Sequence, residues 1–321
     1  MPAIFESLPG LEVPVGGIAA GFQKLWADSP AKESRAVQLN LVLHLGKSTT
    51  PDDANDQFRT TLAFAQRYPC RVVVLCPDFD PAASAAMRAK IYGECFLGKS
   101  KSDTRCVEFV LLHYTLAARA HLENQVSVCL STDMPLYYWA HRFSEAAKLA
   151  DYSYLLTRSK RVLFDAAVVP PDAFTLPWPN PAAVRDLAYT RTLPLRRDLG
   201  QFLSRYDPGA LVAGLKTVTV RHQPKYAAEA AALVTWFRRG LARCDAALAE
   251  SVQFRGEASG CPGCMSADFA YDDGGKFFRW ESDLDSGHSA FAGDLGTGRT
   301  ELRAGASLLA PDAALAEAMF F

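Results

Sequence analysis

Residues 35–78 read RAVQLNLVLHLGKSTTPDDANDQFRTTLAFAQRYPCRVVVLCPD, two apolar runs on either side of a segment with helical spacing. In RAVQLNLVLHL, leucine and β-branched residues run almost unbroken for the length of a strand, the pattern of a strand covered on both faces. The segment that follows opens with Thr50 as an N-cap, Pro51 at the first helical position and Asp52 and Asp53 in the first turn, where the helix dipole favours anions. Phe58, Leu62 and Ala65 mark its buried face. RVVVLCPD is then a second buried strand. Strand, helix, strand is the crossover unit of a parallel sheet, so the first half of the chain is expected to be α/β.

Outward from this unit the alternation continues. IYGECFL (91–97) and CVEFVLL (106–112) are strand-like and separated by a polar stretch, as in a hairpin with a long turn. AARAHLENQVSVCLS predicts a helix and MPLYYW a strand, with Tyr137 and Trp139 on one face and Tyr138 on the other. VVPPDAFTLPWPNPAAV (168–184) holds five prolines, which excludes a regular element and predicts a linker. Beyond it come a strand, LKTVTVRH, and a helix, KYAAEAAALVTWFRRGLAR, with Tyr226, Ala230, Leu233, Phe237 and Leu241 on one face. Short strand candidates broken by Gly and Asp follow. The expected architecture is an N-terminal α/β domain with a mixed, largely parallel sheet (1–167), a Pro-rich linker (168–184) and a C-terminal α+β domain (185–321).

A chain of 321 residues with 49% hydrophobic and 21% charged residues has the composition of a folded globular protein. The net charge of -1 argues against a general nucleic-acid or membrane-surface binder. No apolar run reaches the ~18 residues of a spanning helix, and the N-terminus lacks a signal-peptide pattern, so a cytoplasmic location is expected. Most of the eight cysteines lie in apolar runs, as reduced core thiols do.

Four motifs touch on chemistry. Gly93–Ser100 satisfies the spacing of a phosphate-binding P-loop, with Lys99 and Ser100 in the ligand positions, but its flanks are strand-like on both sides where a P-loop needs a strand before and a helix after. A hairpin is the favoured reading, and a P-loop nucleotide-binding enzyme its rival. Asp78-Phe79-Asp80 resembles a metal-holding acid pair, yet Asp80 and Pro81 also open a helix in PAASAAMRAKIY, the preferred reading. Cys261 and Cys264 have C-x-x-C spacing and leave three roles open: loop thiols, a redox disulfide, or half of a zinc site completed by Cys244 and His288. No nucleophile–base set or metal-binding helix motif occurs, so no catalytic residue, cofactor or metal is assigned.

The fourth is RDLAYTRTLPLRRDL (185–199). Leu195, Leu199, Phe202 and Leu203 form the apolar stripe of a helix with Pro194 in its first turn, which leaves Arg196, Arg197 and Asp198 off the stripe. Arginines at a helix start oppose the dipole and call for negative partners: Asp186 and Asp198 internally, or a phosphate or acidic protein surface. STDMPLYYWAHR, with Asp133 and Pro135 ahead of three aromatics, is either a core strand or an aromatic recognition site.

The ordered set NLVLHL, YPCRVVVL, CVEFVLLH, DMPLYYW, DLAYTRTLPLRRDL and AALVTWFRRGL resembles the OpcA family of glucose-6-phosphate dehydrogenase assembly proteins or subunits, over roughly residues 34–245. Asp186, Leu187, Thr190, Arg191, Pro194 and Arg196 fit the family pattern; it favours Trp at Tyr189 and Leu195 and an acid at Arg197. The resemblance implies a non-catalytic protein that binds glucose-6-phosphate dehydrogenase, favours its active assembled form and so supports the oxidative pentose phosphate pathway and NADPH supply. It implies partner-binding roles for Asp133, Pro135, Tyr138, Trp139, Tyr189, Arg191 and Arg196, and makes a thiol switch at Cys261 and Cys264 conceivable.

Overall fold

The computed structural model describes residues 4–27, 37–80, 86–97, 104–246, 251–261 and 263–321. Chain contacts divide it into two units, residues 1–187 with 311–321, and residues 188–310.

In the first unit the elements follow as α1 Ile4–Ser7, β1 Leu11–Val13, α2 Ile18–Leu25, β2 Leu39–Leu45, α3 Pro51–Arg67, β3 Cys70–Asp78, β4 Arg88–Leu97, β5 Thr104–Thr115, α4 Arg119–Cys129, β6 Leu136–His141, α5 Ala146–Leu149, α6 Ser153–Arg158, β7 Ser159–Phe164 and β8 Val184–Asp186. The sheet has the order β1-β4-β5-β3-β2-β6-β7-β8. From β5 to β8 all neighbours are parallel, while β4 and β1 extend the edge antiparallel. The α/β class and the mixed, largely parallel sheet expected from the sequence are both present.

All seven residues of β2 are buried because helices cover both faces. Leu41, Leu43, Val72, Val74, Tyr137 and Trp139 pack on the face of α3, and Val42, Val73, Leu75, Tyr138 and Ala140 on the face of α4 and α6. Each such Val or Leu contributes roughly 1.5–3 kcal/mol. Helix α3 begins as its sequence dictates: Thr50 Oγ1 accepts a hydrogen bond from the Asp53 amide at 3.2 Å, with Pro51 in the first turn.

Three expectations for this unit are corrected. Arg88–Tyr92 belong to β4 rather than to a helix opened by Asp80; Ile91 pairs with Val110 and Tyr92 with Phe109. The ladder to β5 outweighs the helical propensity of an Ala-rich segment, and residues 81–85 lie outside the described ones. Residues 168–184 are packed rather than a free linker: Trp178 is 5% exposed, its indole N–H donates to Ala173 O at 2.6 Å, and its ring lies 5.1 Å from that of Phe164. Prolines there end elements without preventing burial. The boundary between units falls after Leu187, and residues 311–321, expected in the second domain, belong to the first. Their helix, α11 Pro311–Phe320, buries Leu315 and Met319 on the α3 face, and the Phe320 ring meets those of Tyr68 at 4.8 Å and Tyr137 at 6.0 Å.

Cysteine usage is also more varied than expected. Cys70, Cys76 and Cys129 are free and buried, with Cys76 pushed up to about 12 by burial, but Cys95 and Cys106 face each other across β4 and β5 in a disulfide.

The second unit contains α7 Leu187–Arg191, at whose start the units divide, α8 Leu193–Leu203, α9 Pro208–Val212, β9 Leu215–His222, α10 Ala227–Cys244, β10 Gln253–Ala258, β11 Cys264–Tyr271, β12 Phe277–Asp283, β13 His288–Asp294 and β14 Thr300–Gly305. Its sheet has the order β10-β9-β11-β12-β13-β14, antiparallel except for the β10–β9 pair. Burial alternates along β11, β12 and β13, the signature of a sheet packed on one face. That core joins Leu199 and Phe202 of α8 and Leu233 and Phe237 of α10 to Phe269, Phe278, Trp280 and Phe291. This is the α+β unit read from the sequence.

Candidate partner-binding site

The arginine-rich stretch folds into two short helices, α7 and α8, joined at Thr192. Pro194 sits in the first turn of α8, where a missing N–H leaves no bond unmade. Thr192 Oγ1 donates to Tyr189 O at 2.7 Å and accepts from Arg196 Nε at 3.1 Å. The Arg196 guanidinium lies 3.9 Å from the centre of the Tyr189 ring, and its Nη1 donates to Tyr189 Oη at 2.9 Å. Arg196 thus braces α7 against α8, its charge held by the face of the Tyr189 ring and by neutral oxygens in place of a carboxylate.

Arg191 turns to α10 instead. Its Nε and Nη2 reach Glu229 Oε1 at 2.8 and 2.7 Å, and the side chains are only 19% and 5% exposed. Two charges so placed are held by geometry, and removing either strands the other in a low dielectric. Sequence reasoning looked to Asp186 and Asp198 and missed Glu229, which lies 38 residues away. The signal was available: Glu229 is three residues after Tyr226 and four before Leu233, on the apolar face of α10. Asp186 accepts from the Ala166 amide at 3.0 Å, in the first unit.

Within the second unit Tyr189 and Arg196 therefore form one cluster, while Arg191 ties α7 to α10. In the first unit Asp133 and Pro135 are exposed at the entry to β6, with Asp133 at φ 63°. Asn40 holds this turn: its side-chain amide donates to Ser131 O at 3.0 Å, and its Oδ1 accepts from the Ser131 amide at 2.8 Å. Tyr138 and Trp139 are 0% and 3% exposed and pack on opposite faces of the sheet, so they are core residues with no surface to offer a partner. Of the two readings of that strand, burial selects the core.

The remaining motifs resolve as follows. Gly93 lies within β4, where a Cβ would sit 2.5 Å from Cζ2 of Trp26; the glycine makes room for an indole. With β4 running antiparallel into β5, a strand stands where a P-loop requires a helix, and the P-loop reading is corrected to a strand pair. Lys99 and Ser100 lie outside the described residues. Asp78 pairs with His113 at 3.3 Å and accepts from the Asp80 amide at 2.9 Å. Cys261 and Cys264 are joined in a disulfide at the entry to β11, beside Gly263 at φ +70°, whose amide donates to Gln223 Oε1 at 3.0 Å. Among the described residues, no group of three or more His, Cys, Asp or Glu side chains is placed to hold a metal ion. No described helix is long and apolar enough to cross a membrane.

Fold and cluster together define a two-unit protein, a mixed α/β sheet unit followed by an α+β unit that carries a braced arginine–aromatic cluster. Residues 61–176, within the first unit, match the OpcA family model described as "Glucose-6-phosphate dehydrogenase subunit N-terminal domain". Among curated proteins, nothing matches the chain. Among solved structures, one titled "Trehalose-6-phosphate from E. coli bound with UDP-2-fluoro glucose" aligns at 9% identity and a TM-score of 0.25, over 69% of this chain; the chain spans 65% of that structure's length.

Proposed function

We propose that this protein is a non-catalytic assembly or activating subunit of glucose-6-phosphate dehydrogenase, acting in the cytoplasm to support the oxidative pentose phosphate pathway and NADPH supply. The match of residues 61–176 to the subunit's N-terminal domain carries this reading. An activator must bind the active form of its enzyme more tightly than the inactive one, and a preference of ~1–3 kcal/mol gives a useful coupling. The cluster of Tyr189 and Arg196 supplies anchors of the type that dominates protein interfaces, and the turn of Asp133 and Pro135 is accessible to a partner. Arg191 acts indirectly by holding α7 in place through Glu229.

The test is kinetic. Adding the protein to the dehydrogenase of the same organism raises NADPH formation or lowers the KM for glucose 6-phosphate, and Tyr189→Ala weakens the effect while the fold persists. Absence of both binding and kinetic change defeats the proposal.

A further inference from the structure

The sheet of the first unit has a topological switch point that the assembly role does not use. From β2 the chain proceeds through α3 to β3 on one side, and later returns through α4 to β6 on the other. The chain leaving β2 enters α3 on one face and the chain leaving β6 enters α5 on the other, and beside this divergence the carboxyl ends of β2, β3 and β5 and residues 143–152 line a crevice, the place where open α/β sheets hold their ligands. It measures about 440 Å³, within the range of small-molecule sites.

The crevice is preformed. Gly46 leaves β2 so close to the end of β6 that a Cβ would lie 2.2 Å from Arg142 O, and its amide donates to His141 O at 2.7 Å. Arg142 sits at φ 50°, a left-handed conformation for a non-glycine residue, held by its Nε 2.7 Å from Asp53 Oδ2. Strain of this kind persists where the surroundings over-determine it, and it recurs at ligand clamps.

The floor is polar and carries a spare donor. His44 Nδ1 and Nε2 each lie 2.7 Å from a hydroxyl, those of Tyr138 and Tyr114, and the Tyr114 hydroxyl is 3.2 Å from that of Tyr152. Burial, aided by the Arg119 charge, lowers the His44 pKa to about 3, so the imidazole is neutral. A neutral imidazole and three phenols bring four protons to three contacts, so one is left over. Leaving it on Tyr138, at 0% exposure, strands a buried donor; relaying it to Tyr152, which lines the crevice, presents it to a ligand.

Around this floor stand cations and apolar lips. Arg119 packs 4.7 Å over the Tyr152 ring and is anchored by Lys148 O and Asp151. Lys148 pairs with Glu145 at 2.6 Å, and Lys47 is exposed and makes no ion pair among the described residues. Phe79 and Leu116, large apolar side chains left 38% and 51% exposed, flank the opening.

We propose that this crevice binds a small phosphate monoester with a ring, a sugar or nucleoside monophosphate, with the phosphate held by Lys47, Arg119 and Lys148, the ring between Phe79 and Leu116, and a ligand oxygen accepting from the Tyr152 hydroxyl. The inference concerns this chain alone and is independent of dehydrogenase binding.

Isothermal titration of the full chain with glucose 6-phosphate, adenosine 5′-monophosphate, glucose, adenosine and inorganic phosphate tests it. The expected result is saturable binding of at least one ester below ~1 mM, with the unphosphorylated counterpart and inorganic phosphate each at least ~10-fold weaker. Which ester binds separates the sugar from the nucleoside source. Lys47→Ala combined with Lys148→Ala weakens that binding ~10-fold or more at unchanged melting temperature, and Tyr152→Phe weakens it several-fold. No ester binding up to ~10 mM, inorganic phosphate binding as tightly as the esters, or full affinity in the double variant overturns the proposal.

Discussion

Arg191 and Glu229 are two ordinary surface-type residues that the fold makes interdependent. Arg191→Ala leaves Glu229 charged and buried, and is expected to destabilise the second unit by about 3–5 kcal/mol, read as a lower urea midpoint. Glu229→Gln keeps a hydrogen-bond acceptor for the guanidinium and is expected to destabilise it less. Neither size of effect follows from RDLAYTRTLPLRRDL alone, since the partner lies in another helix. His44 makes the corresponding point for pH. Its ordinary pKa is 6.5 and its folded value about 3, so between these pH values the unfolded chain binds a proton that the native chain refuses. Stability from this group is therefore complete above pH 6.5 and falls as acid is added, by up to ~1.4 kcal/mol per pH unit. Urea unfolding at pH 7 and pH 5 is expected to show a loss of about 2 kcal/mol from His44. His44→Gln removes that part of the pH dependence, even though breaking the tyrosine network lowers stability at both pH values.

At the scale of elements, the β4–β5 pair separates pattern from packing. Gly93-x-x-x-x-Gly-Lys-Ser is a complete motif on paper, yet Gly93 serves Trp26, whose indole N–H donates to Glu108 Oε1 at 2.8 Å. Glu108 in turn pairs with Arg71 of β3. Gly93→Ala drives a methyl into the indole and is expected to lower stability by about 1–3 kcal/mol with a change in tryptophan fluorescence, measurable by thermal and spectroscopic melts. The opposite error arose at Arg88–Tyr92, where local helical propensity is real but the ladder to β5 supplies a stronger partner. Strands covered on both faces, such as β2, β3 and β6, were legible because long apolar runs have few other solutions. Proline content misled at 168–184 because it reports where regular hydrogen bonding stops, and Trp178 shows that burial continues past that point.

At the scale of the molecule, chain order and spatial membership differ. Helix α11 ends the sequence but completes the first unit, where Leu315, Met319 and Phe320 cover Phe64, Tyr68 and Tyr137. Truncation after Ala310 exposes that face and is expected to destabilise the first unit by about 3–6 kcal/mol, from two fully buried side chains alone, seen as a fall in its melting temperature. The segment 188–310 has its own two-layer core, so expressed alone it is expected to unfold cooperatively in urea.

The sequence by itself determined the secondary-structure alternation, the class of both units and the faces of α3, α8 and α10, because hydrophobic period and capping chemistry act over a few residues and survive in any context. It also located the arginine cluster without its meaning. Tertiary structure decided what depends on residues far apart in the chain: that Arg191 answers Glu229, that Tyr138 and Trp139 are core, that Gly93 admits an indole, and that the last helix belongs with the first. It alone brought His44, Tyr114, Tyr138 and Tyr152 together beneath a crevice, since a hydrogen-bonded network drawn from four separate segments leaves no periodic trace along the chain.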